Sequence, residues 1–185
     1  MSATAATVRR IRRCLSVAAP AAAALALVVP TTADASGCAN TNVNPNDVPL
    51  SVASRATLCL LNRERRAHHL RALRENSKLD LASVRHAKDM ARNDYFAHGN
   101  VVGRIRATHY LDGARSWYVG ENIAWGSFDF ATPRSIVRMW MNSPPHRANI
   151  LNRRFRDIGI GIARGAPRAG VSNAATYVTD FGRRG

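Results

Sequence analysis

The sequence predicts an α+β domain of layered helices and strands, and three observations predict it. Apolar residues recur at spacings of three and four between Leu50 and His69 and again between Leu79 and Met90, the periodicity of helices with one buried face. Ile158, Ile160 and Ile162 alternate with Gly159 and Gly161, and residues Thr176 to Phe181 alternate in the same way, the period of strands. Helices precede these strands and interleave with them, which suits helices packed on a small antiparallel sheet.

The elements follow in order. Residues 36–49 are rich in Asn, Asp, Gly and Pro and read as a mobile arm. A first helix runs from Leu50 to about His69 and buries Ala53, Ala56, Thr57, Leu60 and Leu61. A second opens on Ser77 as cap with Asp80 as its capping-box partner, lines one face with Leu79, Ala82, Ser83, His86 and Met90, and ends at Asn93-Asp94. A short helix spans Gly103 to Tyr110, and Gly120 to Trp125 offers a strand on which Glu121, Ile123 and Trp125 share a face. Thr132 caps the next helix, with Pro133 at its first position and Pro144-Pro145 as its stop. The glycines of the Ile158–Ile162 strand leave one face bare for a closely packed neighbour.

Before all this stands a leader. Arg9, Arg10, Arg12 and Arg13 precede an apolar stretch from Leu15 to Val29 and a small-x-small site at Ala33-Asp34-Ala35, the order of a secretory signal peptide over residues 1–35. That stretch falls short of the roughly 20 residues a membrane span needs, and a retained anchor is the alternative. Removing the leader removes Cys14 and leaves Cys38 and Cys59, an even pair that in an oxidising compartment is expected to form a disulfide. Two free thiols, or lipidation of Cys38 after Ala35-Ser36-Gly37, are the other readings.

The formal charge is +15, nearly all of it Arg, with Lys78 and Lys88 as the lysines. Such charge bears on solubility and on anionic partners rather than on fold. The arginines are scattered, as on solvated faces, and an exported chain meets wall polymers and lipid head groups before nucleic acid. No His-Glu-x-x-His helix, no paired cysteines of a zinc ribbon and no Gly-rich phosphate loop occur. Chemistry is expected at His98 and His146, each in a connection just after a helix, and at Glu121 at the start of a strand.

Those three residues sit in motifs that resemble a known family. Gly120-Glu121-Asn122-Ile123-Ala124-Trp125-Gly126 is similar to the signature of the CAP superfamily (cysteine-rich secretory, antigen-five and pathogenesis-related-one proteins, or SCP domains). Trp140-Met141-Asn142-Ser143-Pro144-Pro145-His146-Arg147-Ala148-Asn149-Ile150-Leu151 resembles its second motif in the bacterial form. Cys59 to Arg65, Tyr95-Phe96-Ala97-His98, Asp157 to Gly161 and Asp180-Phe181-Gly182 fall in the family's order, so that the resemblance runs over about residues 52–182.

The resemblance implies a CAP/SCP domain over residues 50–185, a three-layer α-β-α sandwich around a mainly antiparallel sheet. It also implies a surface cleft built from two histidines and two glutamates. His98, Glu121 and His146 match three of those positions, and the fourth falls near Ser143, so one carboxylate is missing. Two imidazoles and a carboxylate suit a divalent metal, zinc best, with Asn122 and Ser143 supporting the cleft. The function expected is a secreted, non-enzymatic binding module for an envelope, lipid or small-molecule ligand, working as a monomer. One alternative is a metal-dependent, peptidase-like hydrolase with Glu121 as general base. The other is a basic structural protein held to anionic wall polymers, and no nucleic-acid partner is expected.

Overall fold

The computed structural model describes residues 37–185. The leader read at residues 1–35 lies outside them. The first helix, α1 (Leu50–Ala67), buries the predicted stripe from Ala53 to Leu61. There follow β1 (Arg74–Glu75), α2 (Ser77–Arg92), α3 (Val101–Arg106) and β2 (Trp117–Ser127). A single 3-10 turn, Phe128–Ala131, leads to α4 (Pro133–Asn142), α5 (Pro144–Ile150), β3 (Asp157–Arg164) and β4 (Ala174–Arg184).

The strands form one sheet in the order β1-β3-β4-β2, antiparallel except for the short parallel pair of β1 with β3. One face carries α1, α4 and α5 over a core that includes Leu60, Leu61, Trp140, Ile158, Ile160, Ile162, Tyr177 and Phe181. The other face carries α2, whose Leu79, Ala82, Ala87 and Met90 meet Ile105, Tyr110, Ile123 and Val178. The three-layer sandwich expected from the sequence is thus the fold. The bare face of β3 has the predicted use, because a Cβ at Gly159 would stand 2.1 Å from the Leu79 carbonyl carbon and one at Gly161 2.1 Å from that of Ser83. The α2 backbone lies directly on the two glycines.

Four local expectations are corrected. The cap of α2 is Asn76, whose side chain accepts from Lys78 and Leu79 N–H, while Asp80 turns to the sheet and accepts from Ile160 N–H at 2.8 Å. The short third helix begins at Val101 rather than Gly103, capped by Asn100. Pro144 and Pro145 do not only end α4. They open α5, because the first turn of a helix has no use for their missing N–H groups.

The fourth correction concerns residues 37–49, which are seated rather than loose. Arg134 binds Thr41 Oγ1 and Asn42 Oδ1, Asn44 donates to the Phe128 carbonyl, and Asn46 donates to that of Ala174. Arg164 donates to the carbonyls of Pro45 and Val48. The polar side chains that marked a loop are the groups that anchor it. The Cys38–Cys59 disulfide, with the Cα atoms 5.7 Å apart, ties the same segment to α1.

Candidate functional site

Glu121 stands on the face of β2 that meets α2, as strand alternation requires, and its side chain is only 1 % exposed. Burial obliges a carboxylate to find partners, and Glu121 has three neighbours. Oε1 accepts from His98 Nδ1 at 2.7 Å, Oε2 accepts from Arg104 Nη2 at 2.5 Å, and His86 Nε2 lies 4.0 Å from Oε2. Because a carboxylate only accepts, His98 Nδ1 carries the proton of this bond, and Nε2 makes no hydrogen bond among the described residues. The His98 side chain is half exposed.

Each partner is placed by a local device. His86, on α2, is fully buried, and its Nε2 donates to the Ala97 carbonyl at 3.0 Å. That bond holds the segment that presents His98. Burial first, and the Arg104 charge further down the order, keep the His86 pKa below its ordinary value against the opposing pull of Glu121. Arg104 comes from α3, whose cap, Asn100 Oδ1, accepts from Gly103 N–H at 2.8 Å.

Directly across the sheet from Glu121 stands Asp180 on β4, with no exposure at all. Ser83 Oγ donates to its Oδ2 at 2.8 Å, and Oδ1 has no hydrogen-bond partner. Burial foremost, then the Glu121 charge, pushes the Asp180 pKa up to about 8. Burial and the carboxylate across the sheet thus both favour the protonated form of Asp180.

His146 reaches the same region from α5. Its Nδ1 pairs with Ser143 Oγ at 2.8 Å, and its backbone carbonyl accepts from Asn122 Nδ2 at 3.0 Å. Asn149 Nδ2 bonds both Asn122 Oδ1 and the Glu121 carbonyl, so α5 is fastened to the outer edge of β2. Burial first, then the neighbouring His98, lowers the His146 pKa. The two imidazoles thus lie within electrostatic reach of each other, and Asn122 and Ser143 hold His146.

The expected cation set does not fit this arrangement. Both Glu121 oxygens are engaged, one by the fixed positive charge of Arg104, and its side chain is out of reach of solvent. Among the described residues no group of three or more His, Cys, Asp or Glu side chains is arranged to hold a metal ion. For the same reason Glu121 is not placed to meet a water as general base. It orients His98 instead. Arg104, Asp180 and Ser83 were missed from the sequence, because a register of Glu121 with Asp180 and a contact from α3 cannot be read from spacing.

Fold and site together define an α-β-α domain in which a buried glutamate braces one of two neighbouring histidines. The pattern of the CAP family, the cysteine-rich secretory protein family, matches residues 58–179, and the chain belongs to that family. It is 36 % identical over 103 residues to the uncharacterised protein YkwD of Bacillus subtilis, a match covering 55 % of this chain and 39 % of that protein. It is 29 % identical over 119 residues to the uncharacterised membrane protein YlbC of the same organism, covering 62 % of this chain and 32 % of YlbC. The matched region is therefore well under half the length of either relative.

Among solved structures, an extracellular SCP-domain protein of Bacillus anthracis matches with a TM-score of 0.60 at 26 % identity, over 72 % of this chain and 41 % of the other. An outer surface protein of Borrelia burgdorferi matches with a TM-score of 0.62 at 19 % identity, over 75 % of this chain and 97 % of the other. Among the described residues no helix is long and apolar enough to cross a membrane.

Proposed function

We propose that the chain is an extracytoplasmic, non-enzymatic binding module that takes its ligand at the cleft between His98 and His146. The observation that carries this reading is the clamp on His98. A buried Glu121, itself neutralised by Arg104, fixes the ring and its tautomer while half of the side chain stays open. A side chain held this firmly yet left exposed is organised for something outside the fold. Nε2 of that ring makes no hydrogen bond among the described residues, so the ligand should bring a polar group to pair with it. The extracellular SCP-domain relative and the Cys38–Cys59 disulfide both support a place outside the cytoplasm.

The test is native mass spectrometry of the protein after incubation with fractionated envelope extract, the wild type beside the His98→Ala/His146→Ala double variant. A discrete adduct on the wild type, absent from a double variant of unchanged circular dichroism, is the expected result. An adduct of the same mass and yield on both proteins would remove the cleft from consideration.

A further inference from the structure

The opposite end of β2 carries a second feature that the histidine cleft does not use. Trp117 and Tyr118 begin the strand and remain 41 % and 40 % exposed, although neither is needed for the core. Successive strand residues point to opposite faces, so one ring stands on each side of the sheet edge. Each ring holds an arginine. The Arg106 guanidinium lies over Trp117 at 5.8 Å, and that of Arg154 over Tyr118 at 5.3 Å. Tyr118 also leans on the buried Phe155, ring centroids 5.2 Å apart, which stiffens the platform. Ser116, Trp117, Tyr118, Arg154 and Arg183 line a hollow of about 280 Å³, and no acidic side chain is among them.

The backbone here is also open. Ser116 and Gly185 exchange both of their N–H···O bonds, so Ser116 and alternate residues after it face β4, while Trp117, Val119, Glu121 and Ile123 turn their polar groups outward. Asn149 covers the outward carbonyl of Glu121, and Trp140 Nε1 covers that of Ile123 at 3.1 Å. At Trp117 and Val119 no such cover exists among the described residues. The guanidinium groups of Arg106, Arg154 and Arg183 likewise make no hydrogen bond or ion pair there. Unpaired edge groups, exposed rings and uncompensated cations meet at one place. Natural edges are usually blunted, and an edge that is not invites an occupant.

We propose that this end of β2 is a binding site for an acidic polysaccharide, one whose sugar rings carry carboxylate or phosphate groups. The arginines supply planar paired donors that match such anions. The indole and phenol faces suit the C–H faces of pyranose rings, and the outward N–H and C=O groups of Trp117 and Val119 suit sugar hydroxyls. Aromatic rings beside arginines also suit single-stranded nucleic acid. The disulfide and the extracellular relative favour the polysaccharide. The site is separate from the histidine cleft, so the two readings stand or fall apart.

The experiment is calorimetric titration of the purified protein with oligogalacturonate, with neutral dextran and a thymidine oligonucleotide as comparisons. The wild type should bind the uronate, ignore dextran, and lose affinity steeply as salt is raised. Arg154→Gln/Arg183→Gln and, independently, Trp117→Ser/Tyr118→Ser should each weaken binding by about tenfold or more, at the level of one or two lost charge-assisted or stacking contacts. Lys88→Gln, which removes an exposed cation on α2 away from this edge, should bind as the wild type does. The arginine pair is exposed and unbonded, so its variant tests the site even where the aromatic pair costs stability. No uronate binding, equal binding by the arginine variant, or binding of the oligonucleotide in preference to the uronate would each overturn the proposal.

Discussion

Arg104→Met tests the centre of the site most directly. The substitution keeps an unbranched apolar stem but removes the cation that faces Glu121 Oε2 at 2.5 Å. Glu121 is 1 % exposed and cannot turn to water, while Arg104 is 22 % exposed and is partly desolvated in the wild type. Opposite charges about 4 Å apart attract by about 4 kcal/mol at the effective dielectric of a protein edge. Part of that offsets the desolvation of Arg104, which the variant no longer incurs. The net loss should therefore be about 2–3 kcal/mol at neutral pH, or roughly 5–10 °C in melting temperature for a domain of this size. Urea denaturation at pH 7 measures it. Adding Glu121→Gln should restore much of the loss, because Gln still accepts from His98 but carries no charge to strand. If Arg104→Met costs less than about 0.5 kcal/mol, the range of an ordinary surface change, or if the double variant is no more stable than the single, the buried pair is not what braces His98.

Two further outcomes follow from packing and from titration. Gly161→Ala would set a Cβ 2.1 Å from the Ser83 carbonyl carbon, a backbone atom that cannot step aside, so α2 must move off the sheet. A loss of about 3 kcal/mol or more in urea denaturation is expected, against less than about 1 kcal/mol if β3 and α2 can separate freely. Asp180 has a folded pKa of about 8, raised above its unfolded value, so the folded chain binds the extra proton. Its contribution is complete below the unfolded carboxylate range and is lost as pH rises through 8. His86 and His146, lowered by burial, contribute with the opposite sign over this window, so the test is a difference: the stability of Asp180→Asn, which mimics the protonated group, should gain on the wild type from pH 5 to pH 8. A slope unchanged in the variant would place the proton elsewhere.

What the sequence could disclose was set by how local each cause is. The buried stripes of α1 and α2, the Thr132 cap with Pro133, and the glycine face of β3 each depend on residues a few positions apart, and the structure keeps them all. The prolines at 144 and 145 show the limit. A helix stop and a helix start demand the same missing N–H, and only the presence of α5 beyond decides between them. The two-residue β1 had no periodicity to announce it and exists because β3 offers it an edge.

The site divides along the same line. Motif resemblance pointed to His98, Glu121 and His146, of which His98 stands in the connection before α3, while Glu121 lies within β2 and His146 on α5 rather than at a strand start and in a connection. It could not tell which of the three is buried, and burial decides their roles. Once Glu121 lies under α2 opposite Asp180, its charge must be matched from within, and Arg104 answers it from an element 17 residues back in the chain. The carboxylate that was expected to reach for a cation already holds one belonging to the protein. What remains open to solvent is the imidazole of His98, held by that carboxylate. On the proposed reading, selectivity is to be sought in the hydrogen bonds that His98 and His146 offer.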